Sequence, residues 1–174
     1  ARIDRTRDRA DAEELRRIEA YFAPPAYETL PEASAALDSA MKADPAFRDW
    51  VDVNAFAHRA PGYVAVTLSL KPIGEAPGDI TGAQMRAVAD LAERYSLGEI
   101  RVTHAQNLVL ANVRKDDLFA LWTALGAHGL AEANVGLVTD IIACPGMDYC
   151  ALATARSIPI AQALSKRFAD PARQ

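Results

Sequence analysis

Cysteine is scarce: the 174-residue chain has two, Cys144 and Cys150. That number excludes a multi-disulfide framework and supplies, as thiols, two of the four ligands that a zinc or iron–sulfur site normally takes. Basic excess is also missing. Lys and Arg number 19 against 23 Asp and Glu, a net charge of −4, so no overall positive field invites nucleic acid. No apolar run approaches the roughly 20 residues of a membrane-spanning helix, and residues 1–9 contain no apolar stretch of a secretory signal. The expected partners therefore include neither nucleic acid nor a membrane, and the expected location is the cytoplasm, where two thiols stay reduced. The chain opens on Ala1 rather than methionine, as expected of a processed chain or a piece of a longer one.

What is present fits an ordinary globular protein with one substantial core: 51% hydrophobic and 24% charged residues. The first 20 residues alternate arginine with acidic residues, and Leu15, Ile18 and Phe22 give a helix one narrow apolar stripe, stopped by Pro24-Pro25. A second helix is expected from about Pro31 to Met41. Asp44-Pro45 then reads as an N-cap with proline at the first helical position, with Phe47, Trp50 and Val51 on one face.

From Gly62 the period changes. Residues 62–70 are rich in β-branched side chains and read as a strand; Asp79 or Thr81 opens a helix to about Tyr95; 98–103 and 107–113 form a hairpin; Asp116 or Asp117 opens another helix ending at Gly129. The order β-α-β-β-α predicts an α+β fold, a ferredoxin-like layer with helices on one face of an antiparallel sheet. Helices flank it on the N-terminal side, and a cysteine-bearing strand-loop-helix follows it.

Two stretches could carry chemistry. In the first, Ile141 to Ala143 reads as a short buried strand, Pro145-Gly146 as a sharp turn, and Cys150 as the first turn of a helix that restarts at Pro159. There the helix dipole would favour a thiolate at Cys150. From spacing alone, the pair is either a soft-metal anchor, a disulfide, or two structural cysteines. In the second, Arg101, Thr103, His104, Gln106 and Asn107 crowd the join of two strands, either as an anion site or pocket rim or as ordinary turn and edge residues. The three histidines, taken singly, read as exposed or hydrogen-bonded, and Lys71 as solvated.

The second stretch, Arg101 to Leu108, is followed after the next helix by Ile142-Ala143-Cys144 and then by Cys150 to Ala153. In this order the two motifs resemble the sirohaem-dependent nitrite and sulfite reductase family, over roughly residues 58–170. The likeness is to the second of the family's two pseudo-symmetric halves. It implies a helical linker at 1–55, a ferredoxin-like half domain at 56–130, and at 131–174 the start of the domain that holds a [4Fe–4S] cluster and sirohaem. It implies that Cys144 and Cys150 match the first two of four cluster cysteines, with a C-x3-C pair beyond this chain supplying the others. Arg101, Thr103, Gln106 and Asn107 would lie near the sirohaem, a group rich in carboxylates.

The parent so implied is an oxidoreductase that reduces nitrite or sulfite by six electrons. Its partners would be the remainder of the polypeptide and an electron donor of ferredoxin or flavoprotein type. With two thiols, the chain by itself is expected to be inactive and to hold neither cofactor, its cysteines free or adventitiously bridged in a segment more mobile than 62–129. The alternative is a stand-alone electron-transfer or regulatory module whose partner supplies the missing ligands.

Overall fold

The side-chain and backbone preferences of the chain resolve into six α-helices and four strands in the computed structural model, which describes residues 11–170. They run α1 (Ala12–Tyr21), α2 (Ala35–Ala43), α3 (Pro45–Asn54), β1 (Ala55–Ala57), β2 (Tyr63–Leu68), α4 (Gly82–Tyr95), β3 (Ile100–Val102), β4 (Leu108–Arg114), α5 (Leu118–Gly126) and α6 (Ile158–Arg167). The helix starts follow local chemistry. Asp44 accepts hydrogen bonds from the Ala46 and Phe47 amides with Pro45 at the first position of α3. Thr81 and Gln84 exchange side-chain-to-backbone bonds in a capping box at the start of α4.

All strand pairs are antiparallel, in the order β1-β2-β4-β3. The helix α4 carries the chain from β2 past the position of β4 to β3, and β4 then inserts between them. The unit β2-α4-β3-β4-α5 is the expected ferredoxin-like layer. Val64, Val66, Leu68, Leu110 and Val113 face the helices and form one buried core with Phe47 and Trp50 of α3, Val88 and Ala92 of α4, and Leu118, Leu121 and Leu125 of α5. Each fully buried leucine contributes about 2 kcal/mol of transfer free energy.

Between Val64 and Val66 the register with β4 slips by one residue. Two residues of β4, Ala111 and Asn112, therefore oppose Ala65, a bulge that keeps Val113 in the core and turns Asn112 to the opposite face. There the Tyr27 hydroxyl donates to Asn112 Oδ1 at 2.9 Å, and the Tyr27 ring meets Tyr63 edge-on at 5.2 Å.

Several expectations need correction. β1 was not foreseen; Asn54 ends α3, and the next three residues pair with β2. Residues 141–143 form no strand, and Ile142 is exposed rather than buried; the backbone of Ala143 is met by the Gln106 side chain rather than by a neighbouring strand. Residues 150–155 form turns rather than a helix; helical geometry begins only at Ile158, with Pro159 in the first turn of α6. The first helix starts at Ala12 on the Asp11 cap, and its expected earlier part lies outside the described residues. Its apolar stripe is not buried: Leu15, Ile18 and Phe22 are all exposed.

Candidate functional site

The two cysteines flank one tight loop. After Cys144 and Pro145, a 3-10 turn at Gly146–Asp148 folds the chain back, and the Tyr149 and Cys150 amides both donate to the Gly146 carbonyl, at 3.2 and 2.9 Å. Gly146 has φ +59°, and a Cβ there would stand 2.7 Å from both the Ala155 carbonyl oxygen and Ser157 Oγ, so glycine is required twice over. The Met147 amide closes the loop on the Ala155 carbonyl at 3.0 Å, and the Ser157 hydroxyl donates to the Cys144 carbonyl. Both thiols are free, Cys144 exposed and Cys150 partly so. Among the described residues, no three or more His, Cys, Asp or Glu side chains gather in a way that could hold a metal. The donor set fits half of a four-thiolate cluster site.

The loop is pinned to one end of the sheet on both flanks. Upstream, Gln106 Nε2 donates to the Ala143 carbonyl at 2.9 Å, while its Oε1 accepts from the Ala143 amide at 3.0 Å. Asn107 Nδ2 donates to Asp140 Oδ1 at 3.2 Å, and its Oδ1 accepts from the Leu70 amide at 3.2 Å. Lys71, 2% exposed, donates to the Ala105 carbonyl and to Asp140 Oδ1, the latter at 2.5 Å. Asp140 Oδ2 accepts from the Gly136 amide at 2.8 Å, and Asn134 Nδ2 donates to the Lys71 carbonyl at 3.0 Å. Asn54 Nδ2 ties the Thr67 and Glu132 carbonyls together at 2.9 and 3.0 Å. Downstream, Ser165 of α6 accepts from the Gly74 amide at 3.0 Å.

Burial opposes the charge on Asp140, but the Gly136 amide, Lys71 and Asn107 outweigh it and hold its carboxyl below the ordinary value. Glu132 has no such help, and desolvation alone raises it.

Arg101 lies elsewhere. Its guanidinium is exposed and pairs with Glu99 at 2.5 Å; Asn112 Nδ2 donates to the other Glu99 oxygen at 2.9 Å. The Arg101 hydrogen bond, with a smaller contribution from Asn112 and against some desolvation, lowers the Glu99 carboxyl. Arg101 lines a cleft of about 860 Å³ together with Arg59, His58, Tyr27 and Phe22.

The four residues expected to share one cofactor face are thus divided. Arg101 faces the cleft. Thr103, just past β3, accepts from the Asn107 amide at 3.0 Å and shapes the turn, while Gln106 and Asn107 reach the chain that leads into Cys144. Sequence reasoning missed Lys71, which is buried and paired rather than solvated, and it missed Asp140, Asn134 and Asn54. An Asp four residues before Cys144 and a Lys at a strand end were the available signals, but no local pattern joins positions 71 and 140.

Comparison with known proteins agrees with this topology. Residues 57–128 match the nitrite/sulfite reductase ferredoxin-like half domain. The chain is 32% identical over 130 residues to a chloroplastic ferredoxin–nitrite reductase of Zea mays, covering 71% of this chain and 22% of that protein. It is 35% identical over 111 residues to a sulfite reductase (ferredoxin) 2 of Mycolicibacterium paratuberculosis, covering 60% and 20%. A nitrite reductase (NAD(P)H) of Bacillus subtilis is 28% identical over 93 residues, covering 52% and 11%. A ferredoxin-like half domain is the class that fold and alignment define. The chain belongs to the nitrite/sulfite reductase family, and it spans about a fifth of the length of the first two relatives.

Proposed function

We propose that this chain is part of a sirohaem-dependent reductase of nitrite or sulfite, comprising its second ferredoxin-like half domain and the first two ligands of its [4Fe–4S] cluster. The observation that carries the reading is the pinning of the Cys144–Cys150 loop to the turn at 103–107, so that the half domain itself presents the two thiols. When bound, the coupled cluster and sirohaem supply the path for the six electrons. This chain's residues hold and orient. Cys144 and Cys150 ligate iron as thiolates, and Arg101, with Arg59 and His58 beside it, offers cationic and hydrogen-bonding groups to carboxylates of the macrocycle. Thr103, Gln106 and Asn107 serve the cofactors through the turn and loop they shape.

In this reading residues 1–55 are the linker between halves, 56–130 the half domain, and 131–174 the start of the cluster domain. The remainder of the polypeptide supplies the other two cysteines, the donor is of ferredoxin or flavoprotein type, and the setting is cytoplasmic. No helix of the described residues is long and apolar enough to cross a membrane. The 174-residue piece by itself is inactive.

The test is made in the natural polypeptide that contains this chain. Four irons and one sirohaem per chain are expected, lost on Cys144→Ser or Cys150→Ser. Iron and sirohaem retained in full by both variants would remove the ligand assignment. A natural chain that ends without further cysteines yet acquires a cluster on adding a second protein would favour an electron-transfer or regulatory module instead.

A further inference from the structure

We propose that Lys71 is a positioning residue for the cysteine loop, acting with Asp140 as a buried latch that sets where residues 134–144 lie on the end of the sheet. The observations are geometric. Lys71 stands three residues past β2 and is 2% exposed, and Asp140, 10% exposed, lies four residues before Cys144. The one ammonium joins two elements that are distant in sequence, the 103–107 turn through the Ala105 carbonyl and the 136–140 segment through the Asp140 carboxylate. Asp140 also accepts from Asn107 on the same oxygen and from the Gly136 amide on the other. Asn134 returns from the same segment to the Lys71 carbonyl. The groups facing Lys71 are therefore a carbonyl and one carboxylate, with no second cation among its partners.

A hydrophobic pair of similar volume would serve stability as well as a buried ion pair or better, because both charges lose their hydration. Apolar contact is non-directional, however, while an ammonium between a fixed carbonyl and a carboxylate permits one register. Sliding 134–144 by one residue would take Asp140 from Lys71 and Asn107 together, while its bond to the Gly136 amide, internal to the segment, would travel with it. The latch thus fixes the approach of the chain to Ala143, where Gln106 takes over, and so the placement of Cys144.

This inference rests on the ligand reading only for its consequence, and its test is independent of metal. In the metal-free chain, amide exchange and the rates of Cys144 and Cys150 alkylation by iodoacetamide are followed by peptide mass spectrometry. Variants are Lys71→Met, Asp140→Asn and the double Lys71→Met/Asp140→Leu. Expected for both single variants is at least tenfold faster exchange across 134–147, with strands 63–68 and 108–114 unchanged. The Cys144:Cys150 alkylation ratio should move at least threefold toward the value in the denatured chain. The double variant should regain thermal stability at or above that of the parent while its alkylation ratio stays shifted, since charges are no longer stranded but the register is no longer specified. Full recovery of both properties in the double variant would reduce the pair to a stability element. Exchange that rises equally in strands and loop, or a single variant that fails to fold, would likewise overturn the positioning role. If the cysteines prove not to bind iron in the longer polypeptide, that result shows in the metal content and leaves these readings untouched.

Discussion

Gln106 and Ala143 form a two-way hydrogen-bonded pair, 2.9 Å from side-chain amide to carbonyl and 3.0 Å from backbone amide to side-chain carbonyl. A side chain here does the work of a neighbouring strand, and it does so one residue before Cys144. Gln106 sits at φ +57°, a left-handed turn position that aims its side chain off the end of the hairpin.

Gln106→Ala removes both bonds. At about 0.5–1.5 kcal/mol for each, the loop should lose about 1–3 kcal/mol of local stability, with little change in the core. Amide exchange at Ala143 should accelerate at least tenfold. Gln106→Glu keeps an acceptor for the Ala143 amide but faces the carbonyl with a second acceptor, and should behave nearly as badly. Unchanged exchange at Ala143 in both variants would show that the pair carries nothing.

The half domain was legible because its signals are local. Thr81, one of the two starts that the sequence offers beside Asp79, announces a helix, and the β-branched run from Tyr63 to Leu70 announces a strand. The failures share a cause. β1 is too short to show a period, and it exists because β2 offers it an edge. Ile141 to Ala143 has the composition of a strand, but its partner is Gln106. The apolar run after Cys150 was expected to be helical, yet Met147 closes onto Ala155 and holds 150–155 in turns. Lys71 illustrates the limit: its partner is 69 positions away, and only the assembled sheet end brings the two together. For the site, the two cysteines and the stretch 101–107 stand out in the sequence as candidates, but the separation of Arg101 from Thr103, Gln106 and Asn107 in space does not.

Acid should weaken the anchoring of the loop. The Asp140 carboxyl is lowered from its ordinary 3.8, so its contribution is fully present above that value and is lost as pH falls through the lowered one. Protection factors at 136–143, corrected for intrinsic exchange, should hold between pH 7 and 5 and collapse in stronger acid, before those of 63–68. In Asp140→Asn this acid-dependent step should be missing. The same step persisting in the variant would assign it to another carboxylate.

Glu132 carries the opposite sign. Burial raises its carboxyl above 4.5, so ionising it costs native stability as pH rises through the raised value. Glu132→Gln should therefore stabilise the chain at pH 7, by less than about 1 kcal/mol for a partly exposed position. The gain should vanish below pH 4.5, where Glu132 is protonated in both states. Urea denaturation at pH 4 and pH 7 reads the difference, and a gain equal at both would point to side-chain packing rather than charge.

Gly146 and Gly129 separate two reasons for a glycine. Both have positive φ, +59° and +65°, but a Cβ on Gly129 would meet nothing within 4 Å, whereas on Gly146 it meets the Ala155 carbonyl oxygen at 2.7 Å. Gly129→Ala should pay the left-handed backbone cost alone, about 1 kcal/mol, visible in thermal unfolding and silent in the cysteine loop. Gly146→Ala adds a clash with backbone that can be relieved only by opening the loop, since the Met147–Ala155 bond crosses the same spot. Exchange at Met147 and Cys150 should then rise more than tenfold, equivalent to over about 1.4 kcal/mol, while strands 63–68 and 108–114 keep their protection. If the cysteines hold the proposed cluster, the same variant should lower iron content in the proposed parent polypeptide without touching either thiol. Parent-like exchange at Met147 and Cys150 in Gly146→Ala would mean that the turn between the cysteines is not the constraint that holds them.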